Sequence, residues 1–223
     1  MNENKHTIIF SSEFNDYLHK DSISDFTEKI IFGYKANIQD HDNYDIYKMF
    51  NDDEIFRDTT SVSKFNSYSI NNFQSYTNIK WIIFPNISAF NENIVSFPSN
   101  LEVLTLGNAF TQSLEKLPKS LKYFVLQNHS YSKISVLAIS SIIQPQLFNF
   151  ENLKYFGIKT PHDSILNKLP KSTKYIELNL FRYGNNNVQN NKNLDLLPNN
   201  LNTLILSCNH KSELKNLPNI QII

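Results

Sequence analysis

An apolar triplet with fixed spacing returns along nearly the whole chain, and it limits the possible folds more than any other feature. In LEVLTLGNAF, Leu101, Leu104 and Leu106 fall at offsets 0, +3 and +5. The same offsets recur at Ile79, Ile82, Phe84; at Leu121, Phe124, Leu126; at Leu153, Phe156, Ile158; and at Leu201, Leu204, Leu206. Thr27, Ile30, Phe32 and Thr173, Ile176, Leu178 carry threonine in the first slot, and Lys5 precedes Ile8 and Phe10 in the earliest copy. A proline stands three residues before the first slot at Pro98, Pro118, Pro170 and Pro198, each time after an apolar residue. First slots are 20 or 22 residues apart, except for steps of 52, 32 and 28 that carry insertions. Pro218 opens a further copy, LPNIQII, that reads one residue short. A fixed period of this length is the signature of a repeat architecture.

The end of each triplet alternates inward and outward, as in Leu104, Thr105, Leu106, and period two means a strand. About a dozen residues between strands leave no room for a long crossover helix, so the chain must coil and lay each short strand parallel to the last. One turn buries too few apolar side chains to offset the entropy of ordering it, so the turns stabilise one another by stacking. Proline has no N–H and a fixed φ, so it belongs in the connector before the strand. Asn86, Asn108 and Asn128 lie two residues after the third slot, where an asparagine can satisfy backbone groups in a tight connector. The expected fold is a leucine-rich-repeat-like solenoid over residues 1–223, with a parallel sheet of short strands and irregular or short helical connectors. Insertions are expected at about 34–75, 127–149 and 181–196. The first should hold one further turn plus a short helix near 42–56, where Ile46, Met49, Phe50 and Ile55 have roughly helical spacing. The second, with its apolar stretch ISVLAISSII, reads as an extra irregular turn or a segment packed on the convex side.

After the triplet several copies carry Phe at +4 followed by Asn or a similar residue and then an aliphatic. The clearest are Phe10 to Phe14-Asn15 and Leu18, and Leu106 to Phe110-Thr111 and Leu114. Phe90-Asn91 with Ile94 is displaced by two residues, and Phe65-Asn66 is a degenerate copy. This resembles the FNIP repeat of slime moulds and giant DNA viruses, a relative of leucine-rich repeats. The resemblance covers roughly residues 5–33 and 76–223, without the Pro after the aliphatic, and the Phe-Asn element fades from Leu121 onward. It implies a non-enzymatic protein-interaction module in an intracellular setting, the host cytoplasm. Members often begin with an F-box-like helix. The alternative is therefore a substrate-receptor subunit of a ubiquitin ligase, with residues 42–56 as the candidate adaptor-binding segment.

Composition narrows the chemistry. Twenty-one Lys and Arg balance 21 Asp and Glu, which argues against a non-specific nucleic-acid or anionic-membrane binder. Four glycines leave no phosphate-cradling loop, and one cysteine leaves no disulfide framework or Cys-rich zinc module. The start, MNENKHTIIFSSEF, shows no signal peptide, and no run of 18 apolar residues exists. Cys208 and His210 read as a turn cysteine and a surface histidine, and Asp52, Asp53 and Glu54 as a solvated charge run. No catalytic constellation, metal site or cofactor is expected. Asn86-Ile-Ser88 and Asn128-His-Ser130 match the glycosylation sequon without a secretory context.

The stronger signal is a surface. Residues between inward slots should face the concave side in columns. One column reads Trp81, Val103, Tyr123, Tyr155, Tyr175, Thr203, and the next Ile83, Thr105, Val125, Gly157, Glu177, Ile205. Aromatic and β-branched residues in register, if exposed, mark a protein partner site. The partner-binding candidates are Trp81, Ile83, Val103, Thr105, Tyr123, Val125, Tyr155, Tyr175 and Glu177. The alternative is that these side chains stack along the ladder as good strand formers. The partner's identity is open, and an apolar last turn ending at Ile223 leaves room for end-to-end self-association.

Overall fold

The computed structural model describes residues 6–33, 62–66, 73–112, 114, 117–126, 152–158, 170–178, 197–206 and 221–222. Each triplet ends in a short strand. The strands are β1 (Thr7–Phe10), β2 (Lys29–Phe32), β3 (Val62–Ser63), β4 (Trp81–Ile83), β5 (Ile87–Ser88), β6 (Val103–Leu106), β7 (Tyr123–Leu126), β8 (Tyr155–Ile158), β9 (Tyr175–Leu178), β10 (Thr203–Leu206) and β11 (Gln221–Ile222). Nine form one parallel sheet in the order β1-β2-β4-β6-β7-β8-β9-β10-β11, and β3 pairs with β5 beside it. This is the parallel solenoid sheet expected from the triplets.

Register follows the second slot. Ile8, Ile30, Ile82, Leu104, Phe124, Phe156, Ile176, Leu204 and Ile222 are successive Cα partners. The last rung is two residues short, not one: Pro198 precedes Leu204 by six residues and Pro218 precedes Ile222 by four. The prolines open the turns into the strands. The N–H groups of Leu101, Leu121, Thr173 and Leu201 each donate to the carbonyl of the proline three residues earlier, at 3.0–3.2 Å. Proline can occupy that position because only its carbonyl is used there.

The core lies on one side of the sheet. One turn contributes Leu101, Leu104, Leu106, Phe110, Leu114 and Leu117, all buried in a common cluster with their counterparts in neighbouring turns. The Phe-Asn elements build two further ladders. Phe14, Phe65, Phe90 and Phe110 stack at centroid distances of 5.7, 5.9 and 5.9 Å. Asn15 Oδ1 accepts the N–H of Asn66 at 2.8 Å, Asn66 Oδ1 that of Asn91 at 2.9 Å, and Asn91 Oδ1 that of Thr111 at 2.7 Å. Each connector thereby satisfies its backbone in the next turn, as a chain without long helices requires.

Two expectations about the insertions need correction. The 52-residue step from Thr27 to Ile79 adds no rung, because β2 pairs directly with β4. The extra residues interrupt the β2 rung instead. Gly33 leaves the strand at φ 76°, and a Cβ there would lie 2.4 Å from the Val62 carbonyl, so the chain departs and returns at nearly one point. Phe65 then takes its place against Phe32 at 4.6 Å. Residues 62–66 and 73–75, placed inside the first insertion on sequence grounds, are therefore parts of regular rungs. The step from Leu121 to Leu153 likewise adds no rung, since β7 pairs directly with β8. The helix expected near 42–56 and the whole of the segments at 127–149 and 181–196 lie outside the described residues.

Candidate functional site

The register assembles the surface columns read from sequence. Trp81, Val103, Tyr123, Tyr155, Tyr175 and Thr203 are successive partners, and so are Ile83, Thr105, Val125, Gly157, Glu177 and Ile205. The columns also run further than expected. Thr7 and Lys29 precede Trp81, and Ile9 and Ile31 precede Ile83. The triplets at Ile8 and Ile30 carried that signal.

Exposure is the point of disagreement. Trp81 is 7% exposed, Ile83 0%, Val103 1%, Thr105 0%, Tyr123 3% and Val125 4%. These six do not form an open aromatic patch. Side chains on adjacent parallel strands stand one strand spacing apart, so large residues in register bury one another laterally. Thr105 fills its position through backbone bonds: its Oγ1 donates to the Phe84 carbonyl at 2.8 Å and accepts the Phe84 N–H at 3.0 Å. The accessible members lie toward the ends of the columns. Ile9 is exposed, while Lys29 and Tyr175 are half-buried, and Lys29 Nζ sits 4.5 Å from the centroid of the Trp81 ring. For Tyr155 and Glu177 only the register position is described.

A charged column runs beside these rows and was not singled out from the sequence. The residues preceding β1, β2, β4 and β6–β10 are His6, Glu28, Lys80, Glu102, Lys122, Lys154, Lys174 and Asn202, and the N–H of each after His6 donates to the carbonyl of the one before. Lys80 Nζ meets Glu28 Oε1 at 2.8 Å, and Lys122 Nζ meets Glu102 Oε1 at 2.6 Å. The hydrogen bond from Lys80 holds the Glu28 carboxyl below its ordinary range, against the opposing effect of burial, with Lys80, His6 and Lys29 adding charge attraction. The signal was a charged or polar residue one position after the first slot in every copy but the last.

Of the asparagines read as connector residues, Asn108 behaves as such, and Asn128 lies outside the described residues. Asn108 Oδ1 accepts the Ser88 N–H at 3.3 Å, and Asn86, 7% exposed, is too covered to present its sequon. In the turn before β4 burial pushes the Tyr76 phenol up, and the charges of Asp21 and Asp25 add to it. Among the described residues no group of three or more His, Cys, Asp or Glu side chains could hold a metal ion. Among the same residues no helix is long and apolar enough to cross a membrane. Cys208, His210 and the acidic run Asp52–Glu54 lie outside the described residues.

Residues 90–131 match the family model of the FNIP Repeat, which bears out the resemblance over the turns that hold Phe90-Asn91 and Phe110-Thr111. No curated protein matches the chain. Among solved structures it is similar to one described as "CroV588 a novel circular LRR protein structure". That similarity has 19% sequence identity and a TM-score of 0.33, and it covers 91% of this chain and 37% of the other.

Proposed function

We propose that the chain is a non-enzymatic protein-interaction module whose sheet serves as a rigid display for a protein partner. The observation that carries this reading is the register itself: Lys29, Trp81, Val103, Tyr123, Tyr155, Tyr175 and Thr203 occupy one straight column across seven adjacent strands. A column ordered before binding loses little conformational entropy on contact. Burial divides the labour. Trp81 and Tyr123 support the face from within, and Ile9, Lys29 and Tyr175 are its accessible contacts.

Alanine replacement of Tyr123 would confound fold with function, because its side chain is 3% exposed. The suitable test installs a photo-crosslinking residue at Lys29 or at Tyr175, with exposed Asn93 in a connector as control. Protein adducts are expected from Lys29 and Tyr175 and not from Asn93. Adducts from Asn93 alone, or the same adducts from all three positions, would remove this face as the contact surface.

A further inference from the structure

Net neutrality hides two opposed halves. Residues 1–116 hold 9 Lys and Arg against 16 Asp and Glu, a net of −7, while residues 117–223 hold 12 against 5, a net of +7. The ladder sorts these charges. In the first half of the column before the strands acid and base alternate, and each lysine closes on the carboxylate one rung earlier, Lys80 on Glu28 and Lys122 on Glu102. After Lys122 the alternation stops. Lys154 and Lys174 follow on the next two rungs with no carboxylate in the column. Lys119 and Lys171 stand at matching positions of the proline turns that lead into β7 and β9, and Glu151 holds the equivalent sequence position before β8. Lys119, Lys171 and Lys174 are exposed, and Lys122 and Lys154 are half-buried.

We propose that Lys119, Lys154, Lys171 and Lys174 form a ridge that docks an acidic, extended segment of a partner protein. The inference rests on the interaction reading above and narrows the partner's chemistry. Lys154 and Lys174 lie on adjacent rungs, about 4.8 Å apart, just beyond Lys122, which Glu102 already holds. Same-side residues of an extended peptide recur at about 6.7 Å, so two of its carboxylates fit along the ridge. The Glu28–Lys80 and Glu102–Lys122 pairs show that this column accepts a carboxylate from a neighbouring backbone. A partner's acidic side chains extend the same pairing where the column's own carboxylates end. A long polyanion is the poorer match, because the first half of the molecule, at −7, repels what overruns the ridge.

Fluorescence anisotropy of a labelled peptide of alternating Glu and Ser, titrated with the full chain, tests the ridge. Saturable binding is expected, weakening as NaCl rises from about 50 to about 300 mM. The double variant Lys154→Gln, Lys174→Gln should weaken it about tenfold, with an unchanged circular dichroism spectrum. Lys80→Gln, outside the ridge, should leave it unaltered. Wild-type affinity in the double variant, or no binding at all, would overturn the proposal. Tighter binding of a charge-matched oligothymidylate would assign the ridge to nucleic acid, and self-association in sedimentation that displaces the peptide would assign it to a second copy; either result also overturns the proposal. If the peptide fails to bind while crosslinks still form at Lys29 and Tyr175, the ridge falls and the interaction reading stands.

Discussion

The backbone N–H of Asn91 donates to Oδ1 of Asn66 at 2.9 Å, although 25 residues separate the two in sequence. The bond ties one connector to the next by the same chemistry that ties Asn66 to Asn15 and Thr111 to Asn91. It also shows that the Phe65-Asn66 connector joins the ladder despite the long insertion before it.

Asn91 carries the heaviest load in this ladder. Its Oδ1 accepts from the Thr111 N–H at 2.7 Å, the Thr111 hydroxyl at 3.0 Å and Gln112 Nε2 at 3.3 Å. Asn91→Ala should therefore lower stability by about 1–3 kcal/mol in urea denaturation. Asn91→Asp keeps the acceptor and should lose less. Equal losses would mean that the side-chain oxygen does not matter.

Gly107 is constrained by its neighbour. A Cβ at Gly107 would lie 2.4 Å from Ser88 Cβ and 2.6 Å from the Pro85 carbonyl, backbone that cannot rotate away. Gly107→Ala should cost about 1–3 kcal/mol by forcing adjacent rungs apart. A melting temperature equal to wild type would show that the rungs are not packed this closely.

Two buried threonines point the other way. Thr27 and Thr173 occupy first slots filled by leucine or isoleucine in most other copies, and their hydroxyl oxygens have no hydrogen-bond partner among the described residues. A buried unsatisfied hydroxyl opposes folding, so Thr173→Val should raise stability by about 1 kcal/mol. Chemical denaturation decides the sign, and a loss would reveal a partner for that hydroxyl.

Acid should weaken the column through Glu28. Its folded pKa lies below the ordinary value of 4.5. Its contribution to stability is therefore fully present above the unfolded pKa and is lost as pH falls through the lower folded value. The stability gap between wild type and Glu28→Gln should shrink from pH 6 to pH 3, on a scale set by ordinary carboxylate titration at about pH 4. The pair is partly exposed, so the effect should also diminish with salt. A gap that does not change with pH would disconnect Glu28 from the pair.

Strand positions and register were legible in the sequence because each triplet records one strand, and the proline marks the turn before it. The insertions were harder. Spacing alone does not distinguish a rung added between Phe32 and Phe84 from a loop spliced into the Phe32 rung. Only the return of Phe65 to within 4.6 Å of Phe32 resolves the two. The surface columns were correctly ordered, but the choice between an open patch and lateral stacking was not legible, since a pattern of residues does not report how far Trp81, Val103 and Tyr123 cover one another. The lysine ridge was obscured by summing charge over the whole chain instead of by half.

The most direct measurement of the account is an NMR search for inter-strand contacts between the backbones of Tyr123 and Tyr155 and of Lys29 and Trp81. Sequential parallel contacts are expected at both junctions, because β7 lies beside β8 and β2 beside β4 with nothing between them. Contacts of either pair with an intervening strand from residues 127–149 or 34–61 would contradict the ladder on which every other claim depends.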